Sequence, residues 1–459
     1  MCRCFSVPLV TRRIVARKSL KRKQLQRTAR SRGAAAPSNA AVRQLAAANR
    51  RIDVLYPGDS GDRQPVHTVY GGAHLFRADT AQKLGSIARA ALAEHAPDSR
   101  TFASVLGIDA ALADGVYARV QDKLAREAVE DFRLDFEDGY GNRPDAEEDG
   151  HAESAAAQVA AGLAAGTLPP FIGIRIKPLS KELHARSLRT LALFVTALVR
   201  ATARRLPQGF VITVPKLMGP AHVEAVARSC EDLERRLRIG KGSLRLELMI
   251  ETPQSILAAD GTSALKPLVA AGRGRVTAAH FGTYDYTALT GITAAWQHMR
   301  HPACDFAKHM MQVSLAQTGV RLSDGATNVL PIGARNVVHL AWKQHFDDVT
   351  HSLVHGFYQG WDLHPAQLPT RYAAVFAFFL ASRQAATARL RNFVERAAQA
   401  TLVGDVFDDA ATGQGLLNYF LRGMNSGALT IDEARETGLS LEDFQSRSFL
   451  TILESRRRR

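Results

Sequence analysis

Four cysteines in 459 residues is a small number, and Cys2, Cys4, Cys230 and Cys304 do not pair up by position. Two sit in the extreme head and the other two are widely separated, so no disulfide framework is drawn and a reducing compartment suits the chain. No apolar run reaches the roughly 18 residues that a membrane helix needs. The first 36 residues contain no acid at all, only 8 Arg and 3 Lys among their charges. With the terminal Arg456–Arg459, they account for the whole net charge of +15. The body between the tails is therefore neutral, which argues against nucleic-acid binding by the folded part. Glycine-rich phosphate loops are missing as well. No G-x-G-x-x-G follows the first strand-like segment and no G-x-x-x-x-G-K-[ST] occurs anywhere, so dinucleotide and nucleotide use are disfavoured. No internal repeat of 20 to 50 residues is present.

The apolar share of 46% and charged share of 22% are those of a soluble globular protein. The head, residues 1–36, has too short an apolar core for a secretory signal. It is expected to be a disordered basic extension or a translation start placed too far upstream, which leaves the protein in the cytoplasm. Its Arg- and Ser-rich character also suits an organelle transit peptide, which would place it in an organellar matrix.

Eight short strand-like segments follow in order. They are "HTVYGGA" from His67, "FRLDFED" from Phe132, "FIGIRIKP" from Phe171, "FVITVPKL" from Phe210, "LRLELMIET" from Leu244, "VTAAHFGTYD" from Val276, "GVRLSDGA" from Gly319 and "GFYQGWDLHP" from Gly356. Amphipathic stretches such as "AHVEAVARSCEDLERRL" separate them. Strands alternating with helices predict a parallel sheet, and eight such units in about 300 residues predict a (β/α)8 TIM barrel, an α/β fold. The barrel is expected over 37–370. A C-terminal helical extension over 371–459 follows, with Thr430 and Ser440 as helix caps.

In such a barrel, chemistry sits at the C-terminal ends of the strands. Those ends carry Asp135, Glu137 and Asp138, then Arg175 and Lys177, Lys216, Glu251, Asp285, Asp324, and finally Asp362 and His364. One charged strand end is ordinary solvent exposure. Six or seven around one mouth are not. Glu251 ends a strand that reads as buried, where an unpaired carboxylate costs several kcal/mol. Asp285 lies one βα unit further on, and neighbouring strands are about 4.8 Å apart. Two oxygen ligands from adjacent strand ends, with the other positions left to water and substrate, is how Mg2+ is commonly held. The competing reading is a structural ion pair from Glu251 to Arg175 or Lys216. A zinc site in "HMRHPACDFAKHM", with His298, His301, Cys304 and His309, fits no standard spacing, and surface histidines are expected there.

With these residues in view, the chain resembles the HpcH/HpaI aldolase and citrate lyase beta-subunit family of the phosphoenolpyruvate/pyruvate barrels, from about residue 67 to about 425. "LDFEDGYGNR", "IRIKP", "VPKL", "MIETP", "HFGTYDYTALTG" and "LHPAQLP" match its segments in order. The resemblance implies Mg2+ on Glu251 and Asp285, with Arg175 on a substrate carboxylate or enolate oxygen. Asp135, Glu137 and Lys216 would complete the substrate site. It also implies a mobile segment, here "GDVFDDAA", whose Asp408, or else Asp409, serves as acid/base across a homo-oligomer interface; a helix N-cap is the alternative for this aspartate. "GYGNR" after the second strand and a first strand ending "VYGGAHLF" depart from the family pattern.

The expected activity is a Mg2+-dependent carbon–carbon lyase or aldolase. Its substrate would be a 2-oxo acid, 3-hydroxy acid or acyl thioester, so that a small organic acid or an acyl-CoA is the partner. Malate-synthase-like condensation or thioester hydrolysis on the same site is the alternative. From a different class, the basic tails could bind nucleic acid or another anionic surface with salt-sensitive affinity.

Overall fold

The computed structural model describes residues 39–59, 61–395, 401–403, 406–408, 410–449 and 451–452. The basic head and Arg456–Arg459 lie outside them. The chain divides into two units at Pro57/Gly58. The first contains a helix, Asn39–Leu55, exposed along nearly its whole length.

The second unit holds the eight expected strands: β1 (His67–Gly72), β2 (Asp131–Asp135), β3 (Phe171–Arg175), β4 (Val211–Val214), β5 (Arg245–Ile250), β6 (Val276–Phe281), β7 (Arg321–Ser323) and β8 (Gly360–Asp362). From β1 to β7 each pairs in parallel with its neighbour in sequence, and β1 also pairs with β8. Between β7 and β8 the ring closes through single backbone bonds rather than a ladder. Asp324 N–H donates to Gln359 O at 2.8 Å and Trp361 N–H to Gly325 O at 2.9 Å. This is the TIM barrel that the alternation of strands and helices predicts.

Parallel strands in a barrel are buried on both faces, and period-2 alternation assigns the faces. On β2, Phe132 and Leu134 join the hydrophobic layer under the helices. Asp131, Arg133 and Asp135 face the other way. Arg133 reaches across the barrel to Glu247 on β5, with Nη2 to Oε2 at 2.7 Å, and to Thr213 on β4 at 3.0 Å. Strands 2 and 5 are not neighbours, so this contact can only run through the interior. Below the mouth the barrel is thus filled by a polar layer, to which Asp131 and His280 also belong.

After β8 a long helix, Leu368–Glu395, packs on the barrel. Beyond 370 the sequence predicts helices broken by the mobile segment "GDVFDDAA", and no strand. The structure differs by placing a short antiparallel hairpin, Thr401–Val403 with Val406–Asp408, before the helix Ala410–Asn425. Three-residue strands give too short an alternation to stand out from the helical pattern around them. Thr430 and Ser440 cap the last two helices with full capping boxes, as the sequence predicts. No described helix is long and apolar enough to cross a membrane.

Candidate active site

The rim at the C-terminal ends of β2 to β6 gathers the charges. Arg175 is the last residue of β3 and is buried. Its Nε and Nη2 donate to the two oxygens of Asp135 at 2.7 and 2.6 Å, a fork-to-fork pair. Asp135 also accepts backbone N–H groups of Glu137 at 2.9 Å and Gly139 at 2.7 Å. Burial raises the Asp135 carboxyl, but Arg175 and these N–H groups outweigh it and hold it below its ordinary value. The guanidinium lies 4.8 Å over the Tyr70 ring, and its Nη1 faces Glu137 Oε2 at 2.9 Å. Arg175 is therefore a fixed cation with a defined plane.

Lys216 follows β4 by two residues and takes a left-handed backbone, φ +49°, unusual for a side-chain-bearing residue and common where function fixes the chain. This turn aims its backbone N–H at Glu251 Oε1, 2.7 Å away. Its Nζ sits between Glu137 Oε1 at 2.6 Å and Asp285 Oδ2 at 3.1 Å, with Asp138 at 3.6 Å. Glu137 and Asp138 come from the turn after β2, and Asp285 from the first turn of the helix Thr283–Leu289 after β6. Lys177 holds the β2 turn in place by donating to Phe136 O at 2.8 Å and Gly141 O at 3.2 Å.

Glu251, one residue past β5, is 1% exposed. Gly282 makes the room it occupies: a Cβ there would stand 2.5 Å from Glu251 Cβ and 2.6 Å from its Oε2. Among the described contacts Oε2 receives no hydrogen bond. Burial first, then the charges of Glu137 and Asp285, push the Glu251 carboxyl up to about 8, against the pull of Lys216 and Arg175. Burial likewise raises Glu137, whose Oε2 has no aligned hydrogen-bond donor.

Five carboxylates (Asp135, Glu137, Asp138, Glu251 and Asp285) thus crowd around two cations, Arg175 and Lys216. Asp135 is spent on Arg175. Of the remaining four, Glu137, Asp138 and Asp285 share the Lys216 ammonium, Glu137 and Asp138 also facing Arg175, while Glu251 is met by the Lys216 backbone N–H alone among the described contacts. A deficit of positive charge where oxygen ligands converge suits a hard divalent cation, so these residues fit Mg2+.

Other strand-end groups named from sequence go elsewhere. Asp324 is held by Lys308 at 3.0 Å and Ser352 at 2.6 Å. Asp362 is buried under Arg371, His345 and His67. His364 caps the short helical turn Pro365–Gln367. These are structural pairs. Asp408 ends the second strand of the hairpin, and its side chain and all of Asp409 lie outside the described residues. Sequence reasoning missed Tyr70 under Arg175 and Trp361, whose ring lies 4.7 Å from Tyr70 and whose N–H points at His280 Nδ1 at 3.2 Å. The only available signal was an aromatic residue at an inward position of the first and last strands.

Residues 45–452 match the family described as Domain of unknown function (DUF6986). No curated protein matches the chain. Among solved structures, a citrate lyase from Burkholderia xenovorans LB400 is 19% identical with a TM-score of 0.57, covering 84% of this chain and 100% of its own. At that identity the likeness shows the shared barrel and nothing finer. Protein CitE of Mycobacterium tuberculosis, solved with magnesium, acetoacetate and coenzyme A, is 15% identical at a TM-score of 0.44, covering 80% and 100%. Haloferax volcanii malate synthase, solved with magnesium and glyoxylate, is 14% identical at 0.44, covering 86% and 98%. Those two scores are too low to carry an argument. The fold that the HpcH/HpaI resemblance implies is thus met, and the family whose model matches is DUF6986.

Proposed function

We propose that this chain, which belongs to the DUF6986 family, is a Mg2+-dependent lyase or aldolase that makes or breaks a carbon–carbon bond next to a carbonyl. One observation carries the reading: Glu137 and Asp285 reach the Lys216 ammonium and Glu251 accepts the backbone N–H of the same residue, so acids from three different strand ends converge on one lysine at the mouth of the barrel. A structural ion pair needs one acid for one base.

The residues divide the work by what they touch. Glu251 and Asp285 would hold the ion, with Glu137 beside them. A bound Mg2+ supplies a Lewis acid that favours negative charge on a substrate carbonyl oxygen. Arg175 has its plane set by Asp135 and Tyr70, so it meets a carboxylate or enolate oxygen without reorganising. We assign Asp135 to positioning Arg175, because both its oxygens are already taken. Lys216 is 30% exposed in its side chain and Asp285 35%, which leaves these two open to a ligand entering the mouth. The Lys216 ammonium adds positive charge where an enolate oxygen would develop. A 2-oxo acid, a 3-hydroxy acid or an acyl thioester supplies the carbonyl-adjacent bond that this chemistry requires. The resemblance offers Asp408 for the proton.

The test is turnover of purified protein on a panel of 2-oxo acids, 3-hydroxy acids and acyl thioesters, with Mg2+ and with chelator. Metal-dependent cleavage or condensation is expected, falling by at least about 100-fold in Glu251→Gln. Intact metal-dependent turnover in that variant would refute the assignment. Product analysis with acyl-thioester and free-acid substrates separates lyase from condensing activity.

A further inference from the structure

Two helices flank β7: Pro302–Leu315 before it and Arg335–Val354 after it. Each presents a pair of potential ligands four residues apart, the spacing that puts two side chains on one helix face. The first offers Asp305 and His309. The second offers His351 and, at its C-terminal cap, His355. The structure brings these faces together. His351 Nε2 lies 2.9 Å from Asp305 Oδ1, the rings of His351 and His355 are 4.1 Å apart, and the His309 ring is 5.7 Å from that of His355. One ligand atom each from Asp305, His351 and His355 falls within 4.8 Å of the others, the one such group of three among the described residues.

We propose that Asp305, His351 and His355 form a site for a late first-row divalent cation, with zinc the ion that best suits the donors, and that His309 stands by as a fourth ligand. The hydrogen bonds already select the right tautomer. His355 Nδ1 lies 2.8 Å from the carbonyl oxygen of His351. A carbonyl can only accept, so Nδ1 carries the proton and Nε2 keeps its lone pair for a ligand. This is the backbone-anchored arrangement typical of metal-binding histidines. Between His351 Nε2 and Asp305 Oδ1 a single proton is shared, and a cation bound there replaces it. Lys308 Nζ reaches the same Oδ1 of Asp305 at 3.2 Å and is itself held by Asp324 at 3.0 Å, so the carboxylate is fixed in place between the two helices. Two imidazoles and one carboxylate suit zinc, copper or nickel and not Mg2+, which prefers an all-oxygen shell. All three residues are half-buried, so an ion can enter and is still partly shielded from water. Bound there, it would tie the helix before β7 to the helix after it.

The sequence could not show this. His298, His301, Cys304 and His309 share one segment, but His301 caps a helix, Cys304 is buried, and His309 finds its partners more than 40 residues away.

The test uses the full chain, freed of metal and titrated with Zn2+ by calorimetry in excess Mg2+. One equivalent of Zn2+ is expected, with proton release and a higher Tm. In His351→Gln/His355→Gln, affinity should fall by more than the roughly 10- to 100-fold that loss of an outer-shell partner costs. Asp305→Asn serves if the double variant does not fold. Glu251→Gln should bind Zn2+ as the wild type does, which keeps this site distinct from the barrel mouth. No Zn2+ uptake, or uptake equal in wild type and both variants, would overturn the proposal and leave a plain His–Asp pair.

Discussion

Replacing Gly282 with alanine puts a methyl group where Glu251 already stands. The new Cβ would lie 2.5 Å from Glu251 Cβ, against an ordinary carbon–carbon contact of about 3.5 Å. A clash with the carboxylate tip could be relieved by rotation, but Cβ is fixed to the backbone of the residue after β5. The whole acid must retreat by about 1 Å. Overpacking of this kind costs about 1–3 kcal/mol of stability. A misplacement of about 1 Å in a catalytic geometry costs on the order of 100-fold in rate. Gly282→Ala is therefore expected to stay folded, lose a few degrees in Tm, and weaken Mg2+ binding and turnover together. Gly272→Ala is the control: the nearest neighbours of its Cβ would be Val276 Cγ2 at 2.3 Å, Val269 O at 3.2 Å and Val223 Cγ1 at 3.6 Å, none of them an acid of the rim. It should lose stability and keep its Mg2+ affinity. Calorimetric Mg2+ titration with thermal melts of both variants decides the matter. Wild-type Mg2+ affinity in Gly282→Ala would refute the claim that Glu251 holds the ion from the place Gly282 leaves for it.

Three further outcomes follow from the same geometry. Arg133→Met removes the guanidinium that pairs with both Asp131 and Glu247 inside the barrel, and denaturant unfolding should show a loss of about 3–5 kcal/mol. Lys216→Met removes an ammonium that competes for the same carboxylates, so Mg2+ should bind roughly tenfold tighter while turnover falls; unchanged affinity would show that the ion sits elsewhere. Glu127 is depressed to about 2: burial opposes ionisation, but hydrogen bonds from Arg63 and Lys123 outweigh it. An acid with a lowered folded value stabilises the fold above its unfolded value and loses that contribution as pH falls through the folded one. The stability gap between wild type and Glu127→Gln should thus be full at pH 6 and close between about pH 4.5 and 2, as measured by denaturant titration.

The barrel was legible because each strand announces itself by a short apolar run and each helix by its period, and both are local signals. The rim was legible for a related reason. Arg175, Lys216, Glu251 and Asp285 stand at or just past strand ends, and the barrel rule converts that position into proximity. What stayed hidden depends on contacts across the barrel or between distant helices. Arg133 finds Glu247 only because strands 2 and 5 face each other through the interior. Asp135 reads as a substrate ligand until the structure shows both its oxygens on Arg175. Asp324 and Asp362 look like rim acids, yet Lys308 and Arg371 claim them from helices that follow no strand-end rule. Tyr70 and Trp361 carry no mark in sequence that separates a platform for a guanidinium from ordinary core.

The account rests on Glu251 and Asp285 reaching one ion, and anomalous diffraction from a crystal soaked with Mn2+ in place of Mg2+ tests that directly. The expected result is a single strong peak at the mouth of the barrel, in contact with both carboxylates and absent in Glu251→Gln. No peak there, or one that touches neither acid, would contradict it.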